Sequence, residues 1–178
     1  MTMKFKSTLL AFGLAMLAAT SAQAQATNTQ TGNPLDVVPE KMPFDVPYGA
    51  PISLERADAA LAAAVADSKH RNWRMNCAVV DSGANLVSFK RMDNAQLASI
   101  DIAIHKARTA AKFRRETKAF ENGVQSGLNY LITLDDVIAS RGGIPLIEGG
   151  KIIGAIGCSG GTGSQDEVVS RAGAATVK

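Results

Sequence analysis

The stretch from Arg141 to Glu167, RGGIPLIEGGKIIGAIGCSGGTGSQDE, constrains the fold more than any other part of the chain. Ile144–Ile147 and Lys151–Cys158 are short apolar runs separated only by Glu148-Gly149-Gly150, so they read as two strands of one hairpin. After the loop Gly160–Gly163, Ser164-Gln165-Asp166-Glu167 has the S-x-x-E pattern of a capping box and predicts the start of a last helix. A hairpin of this kind demands an antiparallel partner surface elsewhere. The chain supplies one: Met75–Val80 and Leu86–Arg91 flank the turn residues Asp81-Ser82-Gly83-Ala84-Asn85 and predict a second hairpin.

Helices fill the remaining segments. Ser53 can cap a helix running to about His70, with Glu55 in its first turn and Leu54, Ala57, Leu61, Ala64 and Val65 on one face. Ser99 to about Phe113 reads as a second helix, Thr117–Gly127 as a third, and Asn129–Ser140 as a mixture of turn and short helical or extended pieces. The order helix, hairpin, helices, hairpin, helix predicts an α+β domain with helices packed against an antiparallel sheet. Aromatic residues make up only 5% of the chain, so small and aliphatic side chains must build the core and stacking on aromatic platforms is a poor candidate for its main binding chemistry.

The N-terminus carries a different message. Lys4 and Lys6 precede an eleven-residue apolar stretch, Leu9–Ala19, and Ala22-Gln23-Ala24 supplies a small-x-small cleavage site. This predicts an export signal over residues 1–24, because a spanning helix needs about 20 apolar residues. The expected product is periplasmic or secreted, with no membrane association after cleavage. Losing the two lysines lowers the formal charge from +3 to +1, which removes the argument for nucleic acid as a partner. Residues 25–51 follow as an arm punctuated by Pro34, Pro39, Pro43, Pro47 and Pro51. Proline at that spacing excludes a helix and favours an extended segment, either loose or laid across a neighbouring subunit through Met42, Phe44, Val46 and Tyr48. Residues 52–178 form the folded domain.

Three motifs in order, Ala78–Asp93, Ser99–Phe113 and Arg141–Glu167, resemble the GlcG/HbpS-like family. The resemblance implies a profilin-like α-β-α sandwich around a five-stranded antiparallel sheet. It also implies assembly into compact homo-oligomers, octamers among them, and haem or another small ligand as the bound group. Arg91 and Asp93 match the family's R-x-D, Lys106 and Thr109 its K-A-x-T-A, Gly142, Gly143 and Pro145 its G-G-x-P, and Gly160, Gly161 and Asp166 its S-G-G-x-x-x-x-D. His105 departs from many relatives. An E-x-x-E iron-binding motif reported for one relative is missing here, so an iron- or redox-sensor role does not carry over.

Candidate sites follow from these positions. His105, Arg108, Thr109 and Lys112 share one helical face and offer an imidazole for haem iron beside cations for its carboxylates. The competing reading is a solvated basic face made by Arg108, Lys112, Arg114, Arg115 and Lys118. His70, at the end of the first helix, is the other histidine able to ligate iron, though a cation there also offsets the helix dipole. Arg91, Lys106 and the amides at Gly142, Gly143, Gly160 and Gly161 could instead hold a small acidic ligand, with Lys106 or His105 moving a proton. A non-catalytic accessory protein is the third alternative. Gly157-Cys158-Ser159-Gly160-Gly161 mimics a nucleophile elbow, but both histidines precede Ser159, against the hydrolase order. Two cysteines and two histidines are too few for a closed zinc site on any usual spacing. In the profilin-like arrangement that the resemblance implies, Cys77 and Cys158 lie in neighbouring strands, which leaves a disulfide open to them; free buried thiols are the expectation.

Overall fold

The computed structural model describes residues 37–177, so the leader and the first part of the arm lie outside the described residues. The domain runs α1 (Leu54–His70), β1 (Asn76–Asp81), β2 (Leu86–Arg91), α2 (Ser99–Lys112), α3 (Lys118–Gln125), a 3-10 turn (Asn129–Thr133), β3 (Gly143–Glu148), β4 (Lys151–Ser159) and α4 (Gly163–Ala174). Both predicted hairpins are present. In the first, the Asp81 carboxylate accepts the amides of Gly83 and Asn85, a local bond that fixes the turn. Ser53 caps α1 by accepting the Arg56 amide. Its other end closes on Asn72, whose φ of 56° places it in the left-handed region. The Asn72 and Trp73 amides bond back to Lys69 and Ser68, a Schellman closure with asparagine in the position glycine usually takes.

The strands pair antiparallel in the order β2-β1-β4-β3. This is a mixed fold with a four-stranded sheet, whereas five strands were expected. The missing strand has a local explanation. β1 ends at Asp81 opposite Gly154, leaving the start of β4 without that neighbour. The arm fills the gap: the Ile152 amide bonds to the Pro47 carbonyl, and Gly49 and Ile52 donate to Ile152 and Ile153, each at 2.8 Å. Pro47 and Pro51 have no amide proton, so this contact stays a single parallel bridge at Tyr48.

Helices α1 and α4 cover one face of the sheet over Leu61, Val79, Ile156 and Val169. On the other face α2 packs through Ala103, Ala107, Ala110 and Ala111 against Ala78, Val80 and Ala155. That layer is thin because backbone meets backbone. A Cβ at Gly157 would lie 2.3 Å from the Ala103 carbonyl, and one at Gly143 would lie 2.2 Å from the Lys106 carbonyl. The scarcity of aromatic residues thus has a structural use, since a large side chain here would lift α2 off the sheet.

Two expectations change. The cap of α4 is Thr162, not Ser164: its hydroxyl accepts the Gln165 amide while the Gln165 side chain accepts the Thr162 amide. The same pattern occurs two residues earlier than expected, and Glu167 is released for other bonds. Cys77 and Cys158, expected as free thiols, stand directly opposite each other in β1 and β4, with Cα atoms 4.2 Å apart, and form a disulfide. Direct cross-strand pairing brings the two side chains out on one face, the condition the sequence left open. The bond closes a loop of 81 residues. On the chain-entropy model its loss costs about 4.5 kcal/mol, so reductant, or Cys77→Ala with Cys158→Ala, should lower the denaturant midpoint measured by circular dichroism.

Candidate functional site

The polar residues singled out by sequence fall into three separate places. The first is a closed junction at the start of β3. The Lys106 ammonium crosses from α2 to bond the Asp166 carboxylate in the first turn of α4 at 2.6 Å, with side chains 1% and 4% exposed. The second Asp166 oxygen accepts the Gly161 amide at 3.0 Å. Burial pushes the Asp166 carboxyl above its usual range, opposed by the Lys106 charge and hydrogen bond and by the amides of Gly161 and Gly160. Gly142 has a φ of 117° and sits against this pair: a Cβ there would lie 2.9 Å from the Asp166 Cβ. The Gly143 amide donates to the Thr117 hydroxyl at 2.8 Å. Lys106 and Gly161 are therefore engaged with Asp166, Gly143 with Thr117, and Gly142 is packed against the Asp166 stem. The amide offered by sequence reasoning to an acidic ligand already holds the protein's own carboxylate.

Thr109 belongs to the same architecture. It is fully buried, donates its hydroxyl proton to the Asp136 carbonyl at 2.6 Å and accepts the Ile138 amide at 3.1 Å. It anchors the loop after the 3-10 turn and does not share the exposed face with Arg108 and Lys112. The predicted four-residue stripe splits because helical residues i and i+4 are not exactly in phase; Thr109 rotates inward while its neighbours stay out.

The second place is a cleft of about 400 Å³ lined by Leu86, Asp101, Ile104, His105, Arg108 and Asp136. β2 contributes Leu86, the exposed side of α2 contributes four residues, and the Thr109-anchored loop contributes Asp136. Among the described residues, the side chains of His105 and Arg108 make no protein hydrogen bond or ion pair. Asp136 differs: Lys112 bonds its carboxylate and holds the acid below its usual range, aided by the charges of His105 and Arg108 and opposed by burial. Sequence reasoning missed Asp136, Leu86 and Ile104. Asp136 lies in an aperiodic loop with φ of 65°, where no spacing signal exists. Leu86 and Ile104 read as ordinary apolar positions.

Arg91 lies in a third place, at the far end of β2 from Leu86, roughly 17 Å of strand away. His70 is exposed in the last turn of α1, on the opposite side of the sheet from His105. The two histidines of one chain therefore cannot sandwich one iron. Among the described residues, no three His, Cys, Asp or Glu side chains converge as a bare metal site.

The rest of the basic run is occupied in building the domain. Arg115 packs over the rings of Phe44 and Phe120, at 3.6 and 4.4 Å, and Arg114 reaches the Val46 carbonyl at 3.5 Å and lies over the Tyr48 ring. The Tyr48 hydroxyl donates to the Ala111 and Lys112 carbonyls, satisfying the end of α2. The arm thus lies on its own chain. Lys118 and Arg171 both hold Glu167, and Arg141 binds Glu121 at 2.7 Å. Burial would raise the Glu167 carboxyl, but its hydrogen bonds from Arg171 and Lys118 outweigh this and lower it.

Several solved and curated proteins are similar to this chain. A family model described as "Haem degrading protein HbpS-like" matches residues 52–175. Protein GlcG of Escherichia coli K12 is 40% identical over 108 residues, spanning 61% of this chain and 81% of GlcG. A double mutant of Streptomyces reticuli HbpS superposes with a TM-score of 0.69 at 27% identity, covering 80% of this chain and 97% of that one. A PduOC:heme complex gives 0.66 at 26% identity, covering 72% and 96%.

Two expected outcomes follow from the ion pairs at α4. Lys106→Ala or Asp166→Asn leaves one buried partner unpaired and should cost about 3–5 kcal/mol in urea unfolding, while Lys106→Met with Asp166→Leu should recover most of the loss. Glu167→Gln should be less stable than the parent at neutral pH. Because the native carboxyl is lowered, the stability it supplies is present above about pH 4.3 and fades as pH falls through its native value, so the two acid-unfolding curves should converge there.

Proposed function

The chain belongs to the HbpS-like family of haem degrading proteins, and on that premise we propose that it binds haem at the cleft between α2 and β2. The observation that carries this reading is the pair of uncommitted side chains there: an imidazole, His105, and a guanidinium, Arg108, beside the aliphatic groups of Leu86 and Ile104. A tetrapyrrole asks for these groups together: a nitrogen donor for iron, a fork for a propionate and an apolar wall for the ring. Asp136, held ionised by its bond from Lys112, borders the site. Bound haem would supply an iron centre; the protein's part is to offer His105 to the metal and hold the carboxylate with Arg108.

A cleft of about 400 Å³ covers part of a tetrapyrrole. A homo-oligomer completes the reading, with a second copy closing over the open side. The buried disulfide supports export to an oxidising compartment such as the periplasm, consistent with the leader read over residues 1–24. The small-acid enzyme reading draws no support from the closed junction, where Lys106 is buried and paired.

Haemin titrated into the apoprotein should give a saturable Soret band. His105→Ala should shift the band and weaken binding at least tenfold, Arg108→Ala should weaken it without changing the ligation spectrum, and His70→Ala should leave both untouched. An unaltered spectrum in His105→Ala overturns the assignment of the iron ligand.

A further inference from the structure

The cleft containing Arg91 is unexplained by haem. It has a volume of about 440 Å³ and lies where α1 ends and β2 ends. Four cations surround it: Lys69 from the last turn of α1, Arg74 from the link to β1, and Lys90 and Arg91 from β2. Trp73 lines it, with the Arg71 guanidinium 5.1 Å from the indole ring. Asp93 is the one acid in the lining. Among the described residues, Lys69, Arg74 and Arg91 form no ion pair, and Lys90 reaches only Asp58 at 3.7 Å on an exposed surface.

All four cations are exposed to water, and around one concave cleft their charges sum to a positive field that draws in an anion. In the closed junction and on α4 this same chain places an acid against each cation it gathers, as Asp166 does for Lys106 and Glu167 for Lys118 and Arg171. Here it does not. The carbonyls that end α1 could have discouraged an anion, but the amides of Arg71, Asn72 and Trp73 already occupy those of Asp67, Lys69 and Ser68. The Schellman closure that satisfies them also brings Trp73 into the wall.

We infer that this cleft is a second ligand site, for a small multivalent oxyanion carrying hydroxyl groups, a phosphate ester or a hydroxylated polycarboxylate. The four cations take the anionic groups, and Asp93 accepts a ligand hydroxyl. The site stands apart from the haem reading, because Leu86 and Arg91 lie at opposite ends of β2.

Trp73 is the only tryptophan in the chain, so its emission reports on this cleft alone. Pyrophosphate and citrate would be titrated in separate arms, at ionic strength held constant with sodium chloride. Saturable change with either supports the inference and tells phosphate from carboxylate chemistry. Each cation makes a charge-assisted bond, so Arg91→Ala and Lys69→Ala should each weaken binding roughly tenfold or more, with circular dichroism confirming the fold. His105→Ala should leave the titration unchanged. No saturation, equal change with chloride alone, or full affinity in the Lys69→Ala, Arg91→Ala double variant overturns the inference. Haemin titration of Arg91→Ala separates the two sites: an intact Soret response is expected, and its loss would mean the cleft serves haem and no second ligand. Absence of haem binding in the parent protein would leave the anion titration standing.

Discussion

Direct contact between the α2 backbone and the sheet is the constraint on which the rest of the domain depends. At Gly143 and Gly157 no side chain separates helix from strand, and alanine fills most of the remaining buried positions of that layer, with Val80 among them. A helix held so close has almost no room beneath it for a long side chain. Lys106 is the exception. Its stem leaves past the start of β3, where Gly142 makes space, and its ammonium meets Asp166 of α4. The helices α2 and α4, which lie on opposite faces of the sheet, are joined around its edge by this bond. A buried ion pair contributes little net stability compared with apolar groups of the same shape. Its value here is positional, since it sets α4 and the Gly160–Gly161 loop against α2.

This arrangement changes what the residues that carry the family resemblance mean. Lys106, Thr109, Gly142, Gly143, Gly161 and Asp166 look from sequence like the parts of a binding pocket: cations, hydroxyls and free amides. In three dimensions their polar groups bind one another or the neighbouring backbone. Among the described residues, His105 and Arg108 in one cleft, and Lys69, Arg74 and Arg91 in another, stay uncommitted. Chemistry is available where the protein has not spent its own partners.

Much of the fold was legible because its signals are local. Gly149-Gly150 and Asp81–Asn85 specify their turns within a few residues, and Ser53 and the apolar period specify α1. The cap of α4 was displaced by two residues because T-x-x-Q and S-x-x-E overlap, and both satisfy the same rule. What sequence could not supply was register. The Cys77–Cys158 bond depends on β1 and β4 aligning those two positions, and neighbouring strands displaced by one residue would have sent the sulfurs to opposite faces. The site was partly legible for a related reason. A helical stripe gave His105 and Arg108 correctly as neighbours, but Thr109 turned inward, and the basic run beyond it was taken up by Phe44, Tyr48 and Glu167 from segments remote in sequence.

The disulfide also determines how the molecule would survive damage. It links the two central strands, and everything from β2 to the start of β4, including the 3-10 turn with exposed Tyr130 and Ile132, lies on the loop it closes. A protease cutting within that loop would produce two peptides that remain covalently one particle, still sharing a sheet. A nicked copy could keep its shape long after its chain was broken.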